Sequence, residues 1–172
     1  MAVQLRQNAE SLARTGAAPV MAAPRSFKGG IAGGTVIRTA RGEIPVEALT
    51  SGDRIATRER GMAVLTGVQR LTAPACAIRT DSLGLGRPER HTTVTACQHV
   101  TVRDWRAEAL FDMGAALVPA CRLADGRQIA AFGNAEFYRL TFDAPLTIYA
   151  NGLEMPTGRT ETGVVEMVDG ED

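Results

Sequence analysis

The sequence has few of the residues that carry out nucleophilic or metal chemistry. It contains two histidines and three cysteines in 172 residues. The cysteines Cys76, Cys97 and Cys121 are odd in number and lack CxxC spacing. The sequence therefore predicts neither a disulfide framework nor a paired zinc motif. We expect no metal and no cofactor.

An excess of charge of either sign is also missing. Nineteen Lys and Arg residues balance nineteen Asp and Glu residues, and Lys28 is the one lysine. The arginines are scattered along the sequence instead of forming a stripe. Because nucleic-acid binding relies on excess positive charge, we expect no nucleic-acid partner. A protein partner remains open.

Long hydrophobic runs are absent as well. No stretch approaches the roughly eighteen consecutive apolar residues of a membrane-spanning helix. Arg6, Glu10 and Arg14 interrupt the N-terminal stretch where a secretory signal would be apolar. The default expectation is a cytoplasmic location, with export by another route left open.

Composition divides the chain into three parts. Residues 1–29 carry four basic residues and one acidic residue, are rich in Ala, Pro and Gly, and predict a mobile basic arm or linker. Residues 30–158 form the predicted domain. Residues 159–172 contain five acids and predict an acidic C-terminal tail with one short strand at 164–168.

The central part shows the pattern of an all-β domain. Short β-branched or alternating segments recur about every ten residues, separated by Gly, Asp and Pro. Helix is predicted only as short turns at 105–113 and 118–123. The predicted strands are 35–39, 43–46, 54–58, 62–71, 75–80, 92–95, 99–103, 128–132, 137–142 and 146–149.

Three local motifs have an ordinary interpretation beside a chemical one. The glycine-rich segment 29–34 lacks the Lys-Ser/Thr of a phosphate loop, so a flexible approach to the first strand is favoured. Cys97 and His99 are predicted to share one face of a strand. Zinc binding, or a nucleophile pair of His99 with Cys76 or Cys121, is less favoured than buried structural cysteines.

The dipeptide Asn151-Gly152 is the third motif. An asparagine before glycine can cyclise to a succinimide. The same dipeptide is a common hairpin turn, and the turn is the favoured interpretation.

Several blocks then resemble one known family in order along the chain. The block GTVIRTARGEIPVEALTSGDRI, residues 34–55, closely resembles the opening block of the Hint domain, the fold of hedgehog autoprocessing domains and inteins. It is most similar to the bacterial hedgehog-type branch. Further similar blocks are LGLGRPER at 83–90, VTACQHV at 94–100, LVPA at 117–120, and FD and ANG at 142–143 and 150–152.

The resemblance implies a compact, horseshoe-like all-β fold whose two ends meet at one site. In the family, a Cys, Ser or Thr attacks the preceding carbonyl. A histidine then protonates the departing amide nitrogen. Counting back from Gly34-Thr35 places the nucleophile position on Gly30.

The resemblance also assigns the remaining site positions. His99 falls at the general acid, with Thr95 four residues before it where the family has three, so that a β-bulge or a displaced histidine is needed. Asp143 and Asn151 match the closing block. Two further family histidines fall on Arg139 and Pro145, which replace them.

These substitutions predict a Hint fold that has lost self-processing and keeps Thr95, His99, Asp143 and Asn151 as vestiges. Two alternatives remain open. One is residual autoproteolysis with His99 as acid and a non-standard nucleophile, Ser26 or Thr35, or an Asn151-Gly152 rearrangement. The other is a Hint-like shell reused as a binding or assembly module.

Overall fold

The computed structural model describes residues 29–157 and 166–167, and these residues confirm the all-β class. Residues 1–28 of the predicted arm and most of the predicted tail lie outside the described residues. The strands are β1 Val36–Thr39, β2 Gly42–Pro45, β3 Arg54–Thr57, β4 Gly61–Val64, β5 Gly67–Ile78, β6 Thr92–Thr95, β7 His99–Val102, β8 Ala116–Pro119, β9 Ile129–Thr141, β10 Thr147–Ala150, β11 Leu153–Pro156 and β12 Glu166–Met167.

Helical structure within the described ranges is short, as expected. Helix α1 spans Trp105–Phe111, and 3₁₀ turns span Val46–Ala48 and Ala120–Leu123. No helix in 29–157 or 166–167 is long and apolar enough to cross a membrane.

The strands form three antiparallel sheets. The first has the order β11–β10–β1–β3–β4, with β2 also paired to β1. The second has the order β9–β5–β6 and is built on the long β5–β9 ribbon. The third has the order β12–β8–β7, so that β12 from the predicted tail pairs with Ala116–Leu117.

Several predicted boundaries differ from the observed ones. Segments 128–132 and 137–142 are one strand, β9, because its register shifts between Phe132 and Asn134 without breaking the ladder. The predicted helical turn at 118–123 is wrong at residues 118–119, which belong to β8, and right for Ala120–Leu123. Strand β11 was missed, because its short LEMP sequence has only two apolar side chains before a proline.

The opening block folds through its turn residues. The Glu47 carboxylate accepts a hydrogen bond from the Gly34 N–H, with an N···O distance of 2.7 Å. This hydrogen bond lowers the pKa of Glu47. Thr39 Oγ1 donates to the Gly42 carbonyl at 2.7 Å and closes the β1–β2 hairpin. Several residues of this block therefore serve to stabilise local turns.

The Asn151-Gly152 dipeptide is the turn between β10 and β11, as favoured from the sequence. Asn151 has a positive φ of 49° and is 2% exposed. Its Oδ1 accepts from the Val36 N–H at 2.9 Å, and its Nδ2 donates to Thr92 Oγ1 at 3.0 Å. One side chain thus ties the hairpin to β1 and to β6.

We expect Asn151→Ala to lower the free energy of unfolding by about 2 to 3 kcal/mol, because the Val36 N–H loses its side-chain acceptor and Thr92 Oγ1 keeps only its bond to the Arg90 carbonyl. Urea denaturation followed by circular dichroism measures this. Asn134→Ala, at an exposed position in β9, is the matched control and should cost less than about 0.5 kcal/mol. Equal losses in the two variants would contradict the bridging role.

Candidate functional site

The start of the described chain is held between two strands. The Ile31 N–H donates to the Tyr138 carbonyl at 2.9 Å, and the Tyr138 N–H donates back at 2.8 Å. The Gly30 carbonyl accepts from the Thr95 N–H at 3.0 Å. The prediction of a flexible glycine-rich approach is therefore wrong for residues 30–31, because β6 and β9 satisfy their backbone groups.

Gly30 has little room for a side chain. A Cβ atom placed there would lie 3.1 Å from Phe137 Cβ, 3.2 Å from the Tyr138 carbonyl oxygen and 3.3 Å from Thr95 Cγ2. Such distances are tighter than ordinary van der Waals contacts. Phe137 is fully buried and Tyr138 contributes backbone, so neither neighbour moves easily.

A cleft opens beside this segment. It contains about 320 Å³ of space free of atoms, its opening to solvent included. Gly29 and Gly30 line one side, Gln98 and Arg139 contribute polar groups, and Met155 comes from β11. The remaining lining is mostly apolar. We term this space the Gly30 cleft.

Gln98, rather than His99, reaches the Gly30 cleft from the second block. Its Nε2 donates to the Pro156 carbonyl at 3.0 Å and to the His99 carbonyl at 2.8 Å. The Gln98 N–H donates to the Thr95 carbonyl at 3.0 Å and closes a turn over residues 96–97. The extra residue before His99 is thus accommodated by a turn and not by a β-bulge.

The position of Gln98 was missed from the sequence, although a signal was present. The family spacing of three residues, counted forward from Thr95, ends on Gln98.

His99 and Thr95 are both buried but have different surroundings. His99 opens β7 opposite Pro119, is 1% exposed, and is not among the residues that line the Gly30 cleft. Thr95 ends β6 against Gly30, and its Oγ1 has no hydrogen-bond partner among the described residues. Cys97 lies in the turn, so the prediction that it shares a strand with His99 is wrong.

The other two predicted site residues lie elsewhere. Asp143 is exposed, and its Oδ1 accepts from Arg60 Nη1 at 2.7 Å on the surface. Asn151 is engaged in the β10–β11 turn. Neither lines the Gly30 cleft. Of the four predicted residues, Thr95 is the one shown in contact with Gly30, and Arg139 stands in the cleft where a family histidine was expected.

Burial shifts the pKa values of two of the cysteines, Cys76 and Cys121. Burial raises the pKa of Cys76 from its ordinary value to about 11, with a further contribution from Cys121. Burial also raises the pKa of Cys121. In the described part of the chain, no three His, Cys, Asp or Glu side chains are grouped as a metal site requires.

Known structures share this architecture. The Ssp DnaB mini-intein variant M86 has a TM-score of 0.52 and 19% identity, over 76% of this chain and 95% of that chain. A DnaB intein from Synechocystis sp. PCC 6803 has a TM-score of 0.51 and 18% identity, over 76% and 99%. The gp41-1 intein has 0.51 and 11%, over 75% and 98%. At these identities the likeness is one of fold.

Comparison by sequence gives the family. No curated protein matches the chain. The family model of the Hint domain matches residues 30–160, from the segment held by β6 and β9 to beyond β11. Because this match spans most of the sequence and the fold agrees with it, the chain belongs to the Hint domain family.

Proposed function

We propose that this Hint domain does not cleave or splice itself, because glycine occupies the nucleophile position at residue 30. The observation that carries the proposal is the tight enclosure of Gly30 by Phe137, Tyr138 and Thr95. An acyl shift needs a side-chain oxygen or sulfur beside the preceding carbonyl. Glycine at residue 30 provides no such oxygen or sulfur atom, and its neighbours leave little space for a side chain.

The substitute nucleophiles find little support. Thr35 is 3% exposed, its N–H donates to the Ala32 carbonyl, and it does not line the Gly30 cleft. Ser26 lies outside the described residues. Asn151 uses both ends of its amide in hydrogen bonds to Val36 and Thr92, which holds the side chain away from rearrangement chemistry.

Among the described residues that line it, the Gly30 cleft also has no histidine or carboxylic acid that could act as the general acid. Gln98 lines the cleft, and its amide does not titrate. Arg139 also lines the cleft, and a guanidinium group is a hydrogen-bond donor that does not serve as a general acid in proteins. His99 is the remaining candidate acid, and it begins β7 outside the cleft lining. A departing amide nitrogen would lack a suitably placed acid.

A second function is favoured by the cleft itself. Ile31, Leu140, Ile148 and Met155 give it a largely apolar wall, and concave apolar surfaces with a few polar groups are typical of binding sites. A Hint shell reused for binding is therefore the alternative to a purely vestigial domain. Within the family, the 34–55 block supports placement in the bacterial hedgehog-type branch.

Intact-mass spectrometry tests the loss of self-processing. The full chain, incubated for days at 37 °C with and without thiol or hydroxylamine, should keep its mass, because no thioester or ester forms. His99→Ala should behave identically. A fragment that ends at Gly29 and is absent from His99→Ala would overturn the proposal and restore His99 as an acid.

The enclosure of Gly30 has its own test. Gly30→Ala should lower the free energy of unfolding by about 1 to 3 kcal/mol, because the added methyl group forces packed neighbours apart. Gly133→Ala is the control, since a Cβ there meets no atom within 4 Å. Denaturant titration of both variants measures the difference. If Gly30→Ala is as stable as Gly133→Ala, the nucleophile position still has space for a side chain.

The buried thiols give a pH-dependent prediction. The native Cys76 thiol should react with a disulfide reagent at pH 7.5 at least about 100-fold more slowly than in guanidinium, because its pKa is raised by about two units and only the thiolate reacts. Timed labelling and peptide mass mapping measure this. Similar rates in the two states would contradict its burial as a neutral thiol.

The same shift has a consequence for stability. Between pH 9 and 11 the unfolded chain releases the Cys76 proton while the native chain keeps it, so the free energy of unfolding should fall as pH rises. Cys76→Ala should reduce this slope.

A further inference from the structure

A second cavity lies near the β10–β11 turn, separate from the Gly30 cleft. It contains about 480 Å³ of space free of atoms, its opening included. Its lining includes Gly152 and Leu153 from the turn and β11. Its polar lining consists of Arg38, Arg87, Thr101, Arg103, Tyr149 and Glu154. We term it the arginine cavity.

The arginine cavity carries an excess of positive charge. Among the lining residues, three guanidinium groups against the one carboxylate of Glu154 leave two positive charges in excess, and the Glu89 side chain packs against Gly152 just outside the lining. Glu154 is already shared by two arginines. Arg103 donates to it at 3.1 and 3.2 Å, and Arg58 Nε lies 3.7 Å from its Oε1.

The other two arginines are not neutralised. The Arg38 guanidinium stacks on the Tyr149 ring, with its Cζ 4.9 Å from the ring centroid. Arg38 forms no ion pair with a described carboxylate, not even with Glu43, which is its cross-strand partner. Arg87 has no side-chain hydrogen bond or ion pair within the described residues either. Both retain their full capacity to donate to an anion.

Thr101 supplies an independent sign of a missing ligand. It lines the cavity from β7, is 4% exposed, and its Oγ1 has no hydrogen-bond partner among the described residues. A buried hydroxyl without a partner is unfavourable, because it has given up its hydrogen bonds to water. An oxyanion in the cavity would accept a hydrogen bond from this hydroxyl.

The loop that carries Arg87 is fixed before any ligand arrives. The Gly86 N–H donates to Asp81 Oδ1 at 2.7 Å, inside the loop. The Glu89 N–H donates to the Asn151 carbonyl at 2.8 Å and ties the loop to the hairpin turn. Little backbone entropy is therefore lost when Arg87 engages a ligand.

We propose that the arginine cavity is a binding site for a phosphate group. A phosphate monoester carries about −1.5 to −2 charges at neutral pH, which matches the excess of two positive charges. Guanidinium groups bind its oxygens in pairs, and the Thr101 hydroxyl provides a further donor. A carboxylate carries half that charge and one fewer oxygen. The site does not depend on whether the 29–30 peptide is cut.

Calorimetric titration of the full chain with inorganic phosphate and with phosphoserine, at fixed ionic strength, tests the proposal. Acetate is the comparison anion. Phosphate binding at least tenfold tighter than acetate binding supports it. Binding of phosphoserine tighter than inorganic phosphate identifies a phosphorylated molecule as the source, and equal or weaker binding identifies free phosphate. Absence of phosphate binding, or equal binding of acetate, overturns the proposal.

Two substitutions locate the binding. Arg87→Gln should weaken phosphate affinity about tenfold, as loss of a charge-assisted hydrogen bond does. Thr101→Val, which keeps the side-chain shape in β7, should weaken it several-fold. Arg127→Gln removes the same charge from an exposed turn outside the cavity and should leave the affinity unchanged.

Circular dichroism confirms that each variant is folded before titration. Unchanged affinity in Arg87→Gln, or equal weakening in Arg127→Gln, would show that general electrostatics and not this cavity attract the anion. None of these binding results changes the outcome expected in the self-cleavage assay. Either proposal can therefore be wrong while the other holds.

Discussion

The arrangement of the domain depends on the backbone hydrogen bonds that hold residues 30–32 between β6 and β9. They bring the start of the described chain into the second sheet, and they place the 29–30 peptide beside Thr95 and Tyr138. These bonds use main-chain groups, so they satisfy the backbone of residues 30–32 without involving a side chain of residue 30. The same neighbours leave little space for a side chain at residue 30.

The all-β class was predictable because alternation and turn residues are local signals. The Asn151-Gly152 turn was predictable for the same reason, since its positive φ suits that dipeptide. The hydrogen bonds that fix residues 30–31 were not predictable from the sequence. A glycine-rich composition indicates a flexible backbone, and it does not indicate that β6 and β9 bind this segment. The sequence also did not predict that β9 continues through Gly133. A β-bulge is defined by its pairing with the neighbouring strand, and the sequence of one strand alone does not show that pairing.

The candidate site was predicted only in part, and the reason is geometric. A one-residue difference in spacing decides whether Gln98 or His99 faces the Gly30 cleft, and the turn at residues 96–97 settles it. Motif spacing alone leaves both choices open. The arginines give a second example. Arg38, Arg87 and Arg103 are scattered in sequence, yet β1, a loop and the end of β7 bring them to one cavity. A neutral sequence can thus contain a locally positive site.

The side chain of Asn151 also bears on how the protein ages. Asparagine followed by glycine is usually the first place where a chain deamidates, since the small neighbour lets its nitrogen approach the side-chain carbonyl. Here that carbonyl is bound to the Val36 N–H and the amide nitrogen to Thr92. The hydrogen bonds that assemble the sheets therefore also protect the one Asn-Gly bond in the described residues from chemical decay. The durability of this turn is set by folding rather than by local sequence.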